Sequence, residues 1–113
     1  MKKTKERRRE ERLHYELPVW FAQGSDEPSC KGIMVDISSG GMAFICDADE
    51  NCPSMGQQLT LRFSIPRNGR DFSDMHEITR TGCVFRTNDI NESRQRLAIK
   101  FDNPPFWSLP PVE

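Results

Sequence analysis

The sequence predicts a small all-β protein, an antiparallel barrel or sandwich of six strands. The chain has 113 residues, of which 35% are hydrophobic, and this is enough for one core but not for two. Six short runs have the composition and alternation of strands, turn residues separate them, and no segment has the periodicity of an amphipathic helix. A closed barrel is the favoured arrangement because closure leaves no exposed strand edge.

Each predicted strand is bounded by polar or turn-forming residues. The six ranges are 17–23, 30–37, 42–46, 58–65, 76–87 and 96–102. In the second run, Ile33, Val35 and Ile37 are expected to share one face, because side chains alternate along a strand. The fifth run is the longest, and Gly82 marks the point where we expect it to bend. An Asn-Gly pair at 68–69 predicts a turn before it.

Charge and proline content divide the chain into three parts. Residues 1–12, the predicted mobile arm, hold seven of the 16 Lys and Arg residues but only three of the 17 Asp and Glu residues. The arm therefore has a net charge of +4, and the remainder of the chain has a net charge of −5. Residues 13–103 are the predicted barrel. Residues 104–113 are predicted to form an extended Pro-rich tail without a C-terminal helix. Phe106 and Trp107 are expected to pin this tail to the barrel, or else to form a small partner-binding patch.

Composition disfavours several classes of function. The mean hydropathy is −0.69, and no apolar stretch approaches the roughly 18 residues of a membrane span. No signal cleavage site follows the basic start. We therefore expect a soluble cytoplasmic protein. The sequence contains no G-x-S-x-G, P-loop or H-E-x-x-H motif, so we expect no catalytic residue. The four cysteines lack C-x-x-C spacing, so we expect no metal site and no cofactor. Cys30, Cys46 and Cys83 are expected to pack as small apolar groups.

The basic arm contains an arginine motif. Arg8 and Arg12 form an R-x-x-x-R pattern, and Arg7 stands immediately before it. An arginine run of this kind is most often a solvated tail. The alternative is a segment that binds an anion.

A second motif lies in the turn between the second and third predicted strands. It reads DISSGG, with Asp36, Ser38 and Gly41 at its spaced positions. Taken alone, it is an ordinary turn in which Asp and Ser satisfy loop amides and Gly takes a positive φ. The two motifs in this order, together with six predicted strands, are much more specific than either motif by itself.

In this arrangement the sequence resembles the PilZ family, whose members are bacterial receptor domains for the second messenger cyclic di-GMP. The family signature is R-x-x-x-R near the start and a [D/N]-x-S-x-x-G turn about 20 to 30 residues later, on a six-stranded antiparallel barrel. The resemblance spans roughly residues 6–105, and no motif position is substituted. It implies a stand-alone cyclic di-GMP receptor. The ligand-binding residues it implies are Arg7, Arg8, Arg12, Asp36, Ser38 and Gly41.

These residue types suit the chemistry of that ligand. The planar fork of arginine matches guanine O6 and N7 or phosphate oxygens, and its flat face stacks on purines. Asp36 would accept hydrogen bonds from guanine N–H groups, and the Ser38 hydroxyl would donate or accept. Gly41 would let the ligand approach the backbone closely. The mobile arm would order over the ligand as it binds.

The resemblance has further implications and one departure. An arginine at the position of Arg7 resembles the version of the family that takes up a stacked pair of ligand molecules. Arg86 is expected to face solvent, with the ligand surface as the alternative. Many members end in a helix packed against the barrel. The Pro-rich tail here does not match that pattern, so a mechanism or dimer built on that helix is not implied.

Two other binding functions compete with the receptor interpretation. One is a PilZ-like protein-interaction module that does not bind nucleotide. The other is a basic arm that contacts RNA, DNA or an anionic membrane through charge alone. A stand-alone receptor has no second domain to regulate and would act on a separate, unidentified effector protein. Typical outputs of the family are the flagellar motor, polysaccharide synthesis and secretion machinery. The sequence does not favour one of these outputs, and it does not predict an oligomeric state.

Overall fold

The computed structural model describes residues 14–24, 26–66 and 72–102. These residues form six strands: β1 (Pro18–Gln23), β2 (Cys30–Ser38), β3 (Gly41–Asp47), β4 (Gln58–Pro66), β5 (Met75–Asp89) and β6 (Arg94–Phe101). All six predicted strands are confirmed, and their ends differ from the predicted ends by at most about two residues. The arm at 1–12, the turn at 68–69 and the Pro-rich tail with Phe106 and Trp107 lie outside the described residues.

The strands close into an antiparallel barrel. Their order around the ring is β1-β2-β3-β6-β5-β4, and β1 pairs with β4 from Val19 opposite Phe63 to Gln23 opposite Leu59. The predicted barrel is therefore confirmed. Because the ring closes, each of these strands has a hydrogen-bonded neighbour on both sides, and the sheet presents no open edge to another chain.

The barrel interior is filled by the inward side chains of every strand. Phe44 is fully buried and packs against Phe21, with ring centroids 5.1 Å apart, while Phe63 stacks on Phe101 at 6.3 Å. The other fully buried large side chains are Met34, Ile37, Met42, Leu59, Leu61, Leu97, Ile99, Val19 and Val84. Each contributes about 1.5–3 kcal/mol through removal of apolar surface from water, so the interior supplies the main stabilisation of the fold.

The alternation expected for β2 is wrong. Met34 and Ile37 are fully buried, whereas Ile33 is 40% exposed. The pairing of β2 with β3 shifts between Met34 and Asp36, which marks a β-bulge at Val35. A bulge inserts one extra residue into a strand and reverses the alternation beyond it, so the inward positions are Met34 and Ile37 instead of three odd-numbered residues.

A bulge interrupts β5 three residues beyond Gly82, the residue where we predicted a bend. The register of β5 against β6 shifts between Val84 and Arg86. Gly82 serves a different purpose: a Cβ added there would lie 2.7 Å from the carbonyl oxygen of Lys100. The glycine therefore permits close approach of β5 and β6 at this point.

The loop from β3 to β4 is held against the barrel by hydrogen bonds and by core packing. It is joined to the turn between β5 and β6 by the Ala48 N–H donating to the Ser93 carbonyl, and to β5 by the Gly56 N–H donating to the Val84 carbonyl. Cys52 packs against the core with its Sγ 3.8 Å from that of Cys46. Burial, followed by the neighbouring Cys52, raises the pKa of the Cys46 thiol to about 12, so this thiol remains protonated at neutral pH.

The four cysteines are free thiols, and only one is fully inside. Cys46 is buried as predicted, and Cys30 is partly buried against the core. Cys83 differs from its prediction because it lies on the outer side, where its Sγ donates to Gln58 Oε1 at 2.9 Å. Within the described ranges, no group of three or more His, Cys, Asp or Glu side chains is arranged to hold a metal ion. The same residues include no helix with the length and apolarity required to cross a bilayer.

We expect Phe44→Ala to lower the free energy of unfolding by about 3–5 kcal/mol, because it leaves a cavity where Phe44 is now fully buried. Urea denaturation monitored by circular dichroism measures this change. Phe85→Ala is the matched control, since Phe85 is 50% exposed, and we expect it to change stability by less than about 0.5 kcal/mol. Equal losses in the two variants would contradict the assignment of the core.

Candidate ligand-binding site

The bulge at Val35 places Asp36 on the outer surface of the barrel. Met34 points inward, so an uninterrupted strand would also direct Asp36 into the apolar core. The extra residue reverses this direction, and Asp36 pairs with Ala43, which lies between the inward Met42 and Phe44. A carboxylate in the core would be strongly destabilising. The bulge therefore makes the first position of the turn motif compatible with the fold.

Asp36 forms an ion pair that crosses β3. Arg96 Nη2 lies 3.5 Å from Asp36 Oδ2, although Asp36 belongs to β2 and Arg96 to β6, on opposite sides of β3. Ala43 lies between these strands and is 3% exposed, so its small side chain lets the arginine pass over it. The Asp36 side chain is 9% exposed and that of Arg96 is 46% exposed. The pair holds the carboxylate at a defined place while leaving the guanidinium open to solvent.

The tip of the β2–β3 turn is compact. Ser38 and Ser39 are both buried, and the Gly40 N–H donates to Ser38 Oγ at 3.4 Å. The Phe101 N–H donates to the Gly40 carbonyl at 2.9 Å. The end of β6 thus holds the turn against the barrel, and the Ser38 hydroxyl has a position determined by backbone contacts.

A steric contact explains why glycine occupies position 41, and this differs from the positive φ that we predicted. It is the first residue of β3 and does not have a positive φ, which among the described glycines is found at Gly24 and Gly56. A Cβ added to Gly41 would lie 2.2 Å from the carbonyl oxygen of Ile99. The prediction of a left-handed backbone here is wrong. Glycine is required because β6 approaches β3 too closely for any side chain at this position.

The structure places the three residues of the turn motif close together, whereas the arginine motif lies outside the described residues. Asp36, Ser38 and Gly41 share one end of the β2–β3 hairpin, whereas Arg7, Arg8 and Arg12 lie outside the described residues. The chain that follows the arm lies beside the same strand, since the Met34 N–H donates to the Leu17 carbonyl at 2.7 Å. β1 and β2 are antiparallel, so tracing back from Pro18 to Leu17 moves along β2 towards Asp36.

Sequence analysis missed Arg96 and expected Arg86 to face solvent, with the ligand surface as the alternative. Alternation with the inward Leu97 places Arg96 on the outer face, but its pairing with Asp36 depends on the register of three strands. Arg86 is exposed and pairs with Ala98, which in turn pairs with Ala43 opposite Asp36. Both arginines therefore lie on the outer surface that extends from the turn motif across β3 and β6.

The barrel and its motif define a class of small receptor or adaptor domains. The family model described as PilZ domain matches residues 6–106, nearly the whole chain. The chain belongs to the PilZ family. PilZ domains are receptor or adaptor domains, and the matched range includes both arginines of the first motif and all three positions of the second.

Similarity to a solved structure supports the same fold. The chain is similar to a structure titled "Structure of Bacillus subtilis Inhibitor of motility (MotI/DgrA)", with a TM-score of 0.62 and 20% sequence identity. The match covers 81% of this chain but 41% of the Bacillus subtilis protein. At this identity the likeness concerns the barrel alone. A search of functionally curated proteins found no match to the sequence.

We expect Gly41→Ala to destabilise the protein by about 3 kcal/mol, because the new Cβ would overlap the Ile99 carbonyl at 2.2 Å. Thermal and urea unfolding measure the loss. Gly40→Ala is the control, since a Cβ there meets nothing within 4 Å, and its effect should stay within about 1 kcal/mol. A stable Gly41→Ala protein would show that β3 and β6 are further apart than described.

Proposed function

We propose that this protein is a cyclic di-GMP receptor, in which the arm arginines and the β2–β3 turn bind the nucleotide together. The observation that carries the proposal is the complete pair of PilZ motifs on a barrel whose register presents Asp36 and Ser38 on one outer surface. In this proposal Arg8 and Arg12 bind the guanine edges and phosphates, Asp36 accepts from a guanine N–H, and Ser38 adds a hydrogen bond.

The place where the chain following the arm joins the barrel supports this division of roles. Arg12 is separated from Leu17 by five residue steps, which reach at most about 17 Å in extended form. Leu17 is hydrogen-bonded beside Met34, two residues from Asp36 on β2. The tether is therefore long enough for Arg12 to meet a ligand held at the turn, and short enough to keep the arm near it.

Arg96 supplies a second element of the proposal. Its guanidinium pairs with Asp36 at 3.5 Å and is nearly half exposed. A guanine that donates to Asp36 would compete with Arg96 for the carboxylate, which leaves the Arg96 donors available for phosphate or base acceptors. Ligand binding would then change both the arm and this surface, and a separate effector protein would recognise the change. We place this receptor in the cytoplasm, where four free thiols are chemically stable.

Isothermal titration calorimetry with cyclic di-GMP tests the proposal on the full chain. We expect saturable binding that is weakened by about 100-fold or more in the Arg8→Ala, Arg12→Ala double variant, because two charge-assisted contacts are lost. Asp36→Ala should weaken binding by about 10-fold or more. GTP should not compete. The matched control is Lys2→Ala, Lys3→Ala, which removes the same charge from the arm without touching the motif.

The outcomes separate the competing functions. A nucleotide-independent module would show no binding by the unmodified chain. A polyanion binder would lose affinity equally in the lysine and arginine variants, would be unaffected by Asp36→Ala, and would bind single-stranded RNA with a steep salt dependence. Either result would overturn the receptor proposal. Thermal unfolding of each variant establishes that the barrel remains folded.

The same titration counts the bound ligand. Because Arg7 precedes the motif, we expect two cyclic di-GMP molecules per chain, stacked on each other, and an Arg7→Ala variant with a ratio of one. Analytical ultracentrifugation of the complex distinguishes a ligand pair on one chain from a pair shared between two chains. A ratio of one in the unmodified chain would contradict this stoichiometry while leaving the receptor proposal intact.

A further inference from the structure

The loop from β3 to β4 brings two cysteines into contact. Cys46 lies near the end of β3, and Cys52 follows six positions later in the loop. Their sulfur atoms are 3.8 Å apart, and the Cys46 thiol donates to Cys52 Sγ. A turn lies between them, in which the Cys52 N–H donates to the Asp49 carbonyl at 3.0 Å and the Asn51 N–H donates to Asp49 Oδ1 at 2.9 Å. The backbone of the loop therefore holds the two thiols together.

The two cysteines differ in their access to solvent. Cys46 is 5% exposed and belongs to the core, whereas Cys52 is partly exposed. Cys52 also lines an open cavity of about 400 Å³, which the loop forms together with Thr87 of β5 and Gln95 of β6. A water molecule occupies about 30 Å³ of liquid, so this cavity admits small polar reagents. A dissolved reagent therefore meets the Cys52 sulfur first, with the Cys46 sulfur directly behind it.

The protonation of the buried thiol gives the two sulfurs different reactivities. Burial, followed by the neighbouring Cys52, raises the pKa of the Cys46 thiol to about 12. Because the thiolate is the reactive form, Cys46 does not react with an oxidant by itself at neutral pH. Cys52 is accessible, and its thiol donates to Gln95 Oε1 at 3.2 Å. Once Cys52 is oxidised, its sulfur becomes an electrophile in contact with the sulfur of Cys46.

We propose that Cys46 and Cys52 are a thiol-oxidation site, which forms an intramolecular disulfide when a hydroperoxide enters the cavity beside Cys52. The site does not depend on the proposed nucleotide binding. In a reducing cytoplasm its resting state is the pair of free thiols, and a disulfide there is a transient response to oxidant.

The reaction with hydrogen peroxide proceeds in two steps. The Cys52 thiol loses its proton, and its sulfur attacks the peroxide. An S–O bond forms and the O–O bond breaks, which gives a Cys52 sulfenic acid and a hydroxide that takes up the lost proton to become water. The Cys46 sulfur then attacks the Cys52 sulfur. The S–S bond forms, the S–O bond breaks, and the Cys46 proton leaves with the hydroxide as a second water. The two thiols together lose two electrons, and the peroxide is reduced by two.

Bond formation requires a small movement of the loop side chain. A disulfide bond is about 2.05 Å long, so the sulfurs must approach each other by about 1.8 Å. Rotation about the Cα–Cβ bond of Cys52 can supply this movement without displacing β3. The new bond removes the hydrogen bond from the Cys52 thiol to Gln95 and ties the loop covalently to β3.

Mass spectrometry of the folded chain tests the site. The reduced protein is treated with hydrogen peroxide, and its remaining thiols are then alkylated with N-ethylmaleimide in denaturant. We expect two of the four thiols to be lost and the unalkylated mass to fall by about 2 Da. The protease Asp-N cleaves before Asp47 and Asp49 and so separates the two cysteines, and the linked peptides 36–46 and 49–70 identify the bond. Dithiothreitol should restore both thiols.

Two variants make the result specific. Cys30→Ser, Cys83→Ser removes the other two thiols and should form the same disulfide at the same rate. Cys52→Ser keeps a hydroxyl that donates to Gln95, and it should leave Cys46 fully alkylatable. Thermal unfolding establishes that both variants are folded. Retention of all four thiols in the unmodified chain, or a disulfide that joins either member of the pair to Cys30, Cys83 or a second chain, would overturn the proposal.

A third variant tests the order of the two steps. In Cys46→Ser the second step cannot occur, so the sulfenic acid should persist on Cys52 and be trapped by dimedone. Circular dichroism checks that this core variant is folded. Trapping at Cys83 without trapping at Cys52 would overturn the assignment of Cys52 as the residue that the oxidant attacks.

Discussion

The outer surface that carries the turn motif depends on two reversals of strand alternation, one in β2 and one in β5. In each strand an apolar residue points into the core two positions before a charged one, Met34 before Asp36 and Val84 before Arg86. Regular alternation would bury both charges, at a cost far greater than that of disrupting one ladder position. The extra residues at Val35 and Phe85 place both charges outside, at the two ends of one cross-strand row.

Small residues between these charges complete the surface. Ala43 and Ala98 occupy the outward positions between Asp36 and Arg86, and Gly41 lies two residues before Ala43 on β3. At Gly41 the restriction is absolute, because the carbonyl of Ile99 occupies the space of a Cβ. At Ala43 it leaves room for Arg96 to reach Asp36. Gly41 therefore permits the close approach of β3 and β6, and Ala43 permits the ion pair between Arg96 and Asp36.

Contacts on two sides hold the turn motif against the barrel. Closure of the ring and the buried aromatic pairs hold the turn motif in place from one side, and the Phe101 N–H fixes its tip from the other. Functional side chains placed on strands are held more precisely than those on long loops. In the proposed receptor, the arginines of the arm supply the charge, while the barrel supplies position and orientation.

Much of this protein could be predicted from local sequence, because alternation, turn residues and motif spacing depend on neighbours along the chain. The six strands, the barrel and the positions of Asp36, Ser38 and Gly41 are of this kind. The bulges, the Asp36–Arg96 pair and the steric requirement at Gly41 were decided by the tertiary structure. Each depends on the register between strands far apart in sequence. That register is set by packing of the whole core, so no single segment contains the information.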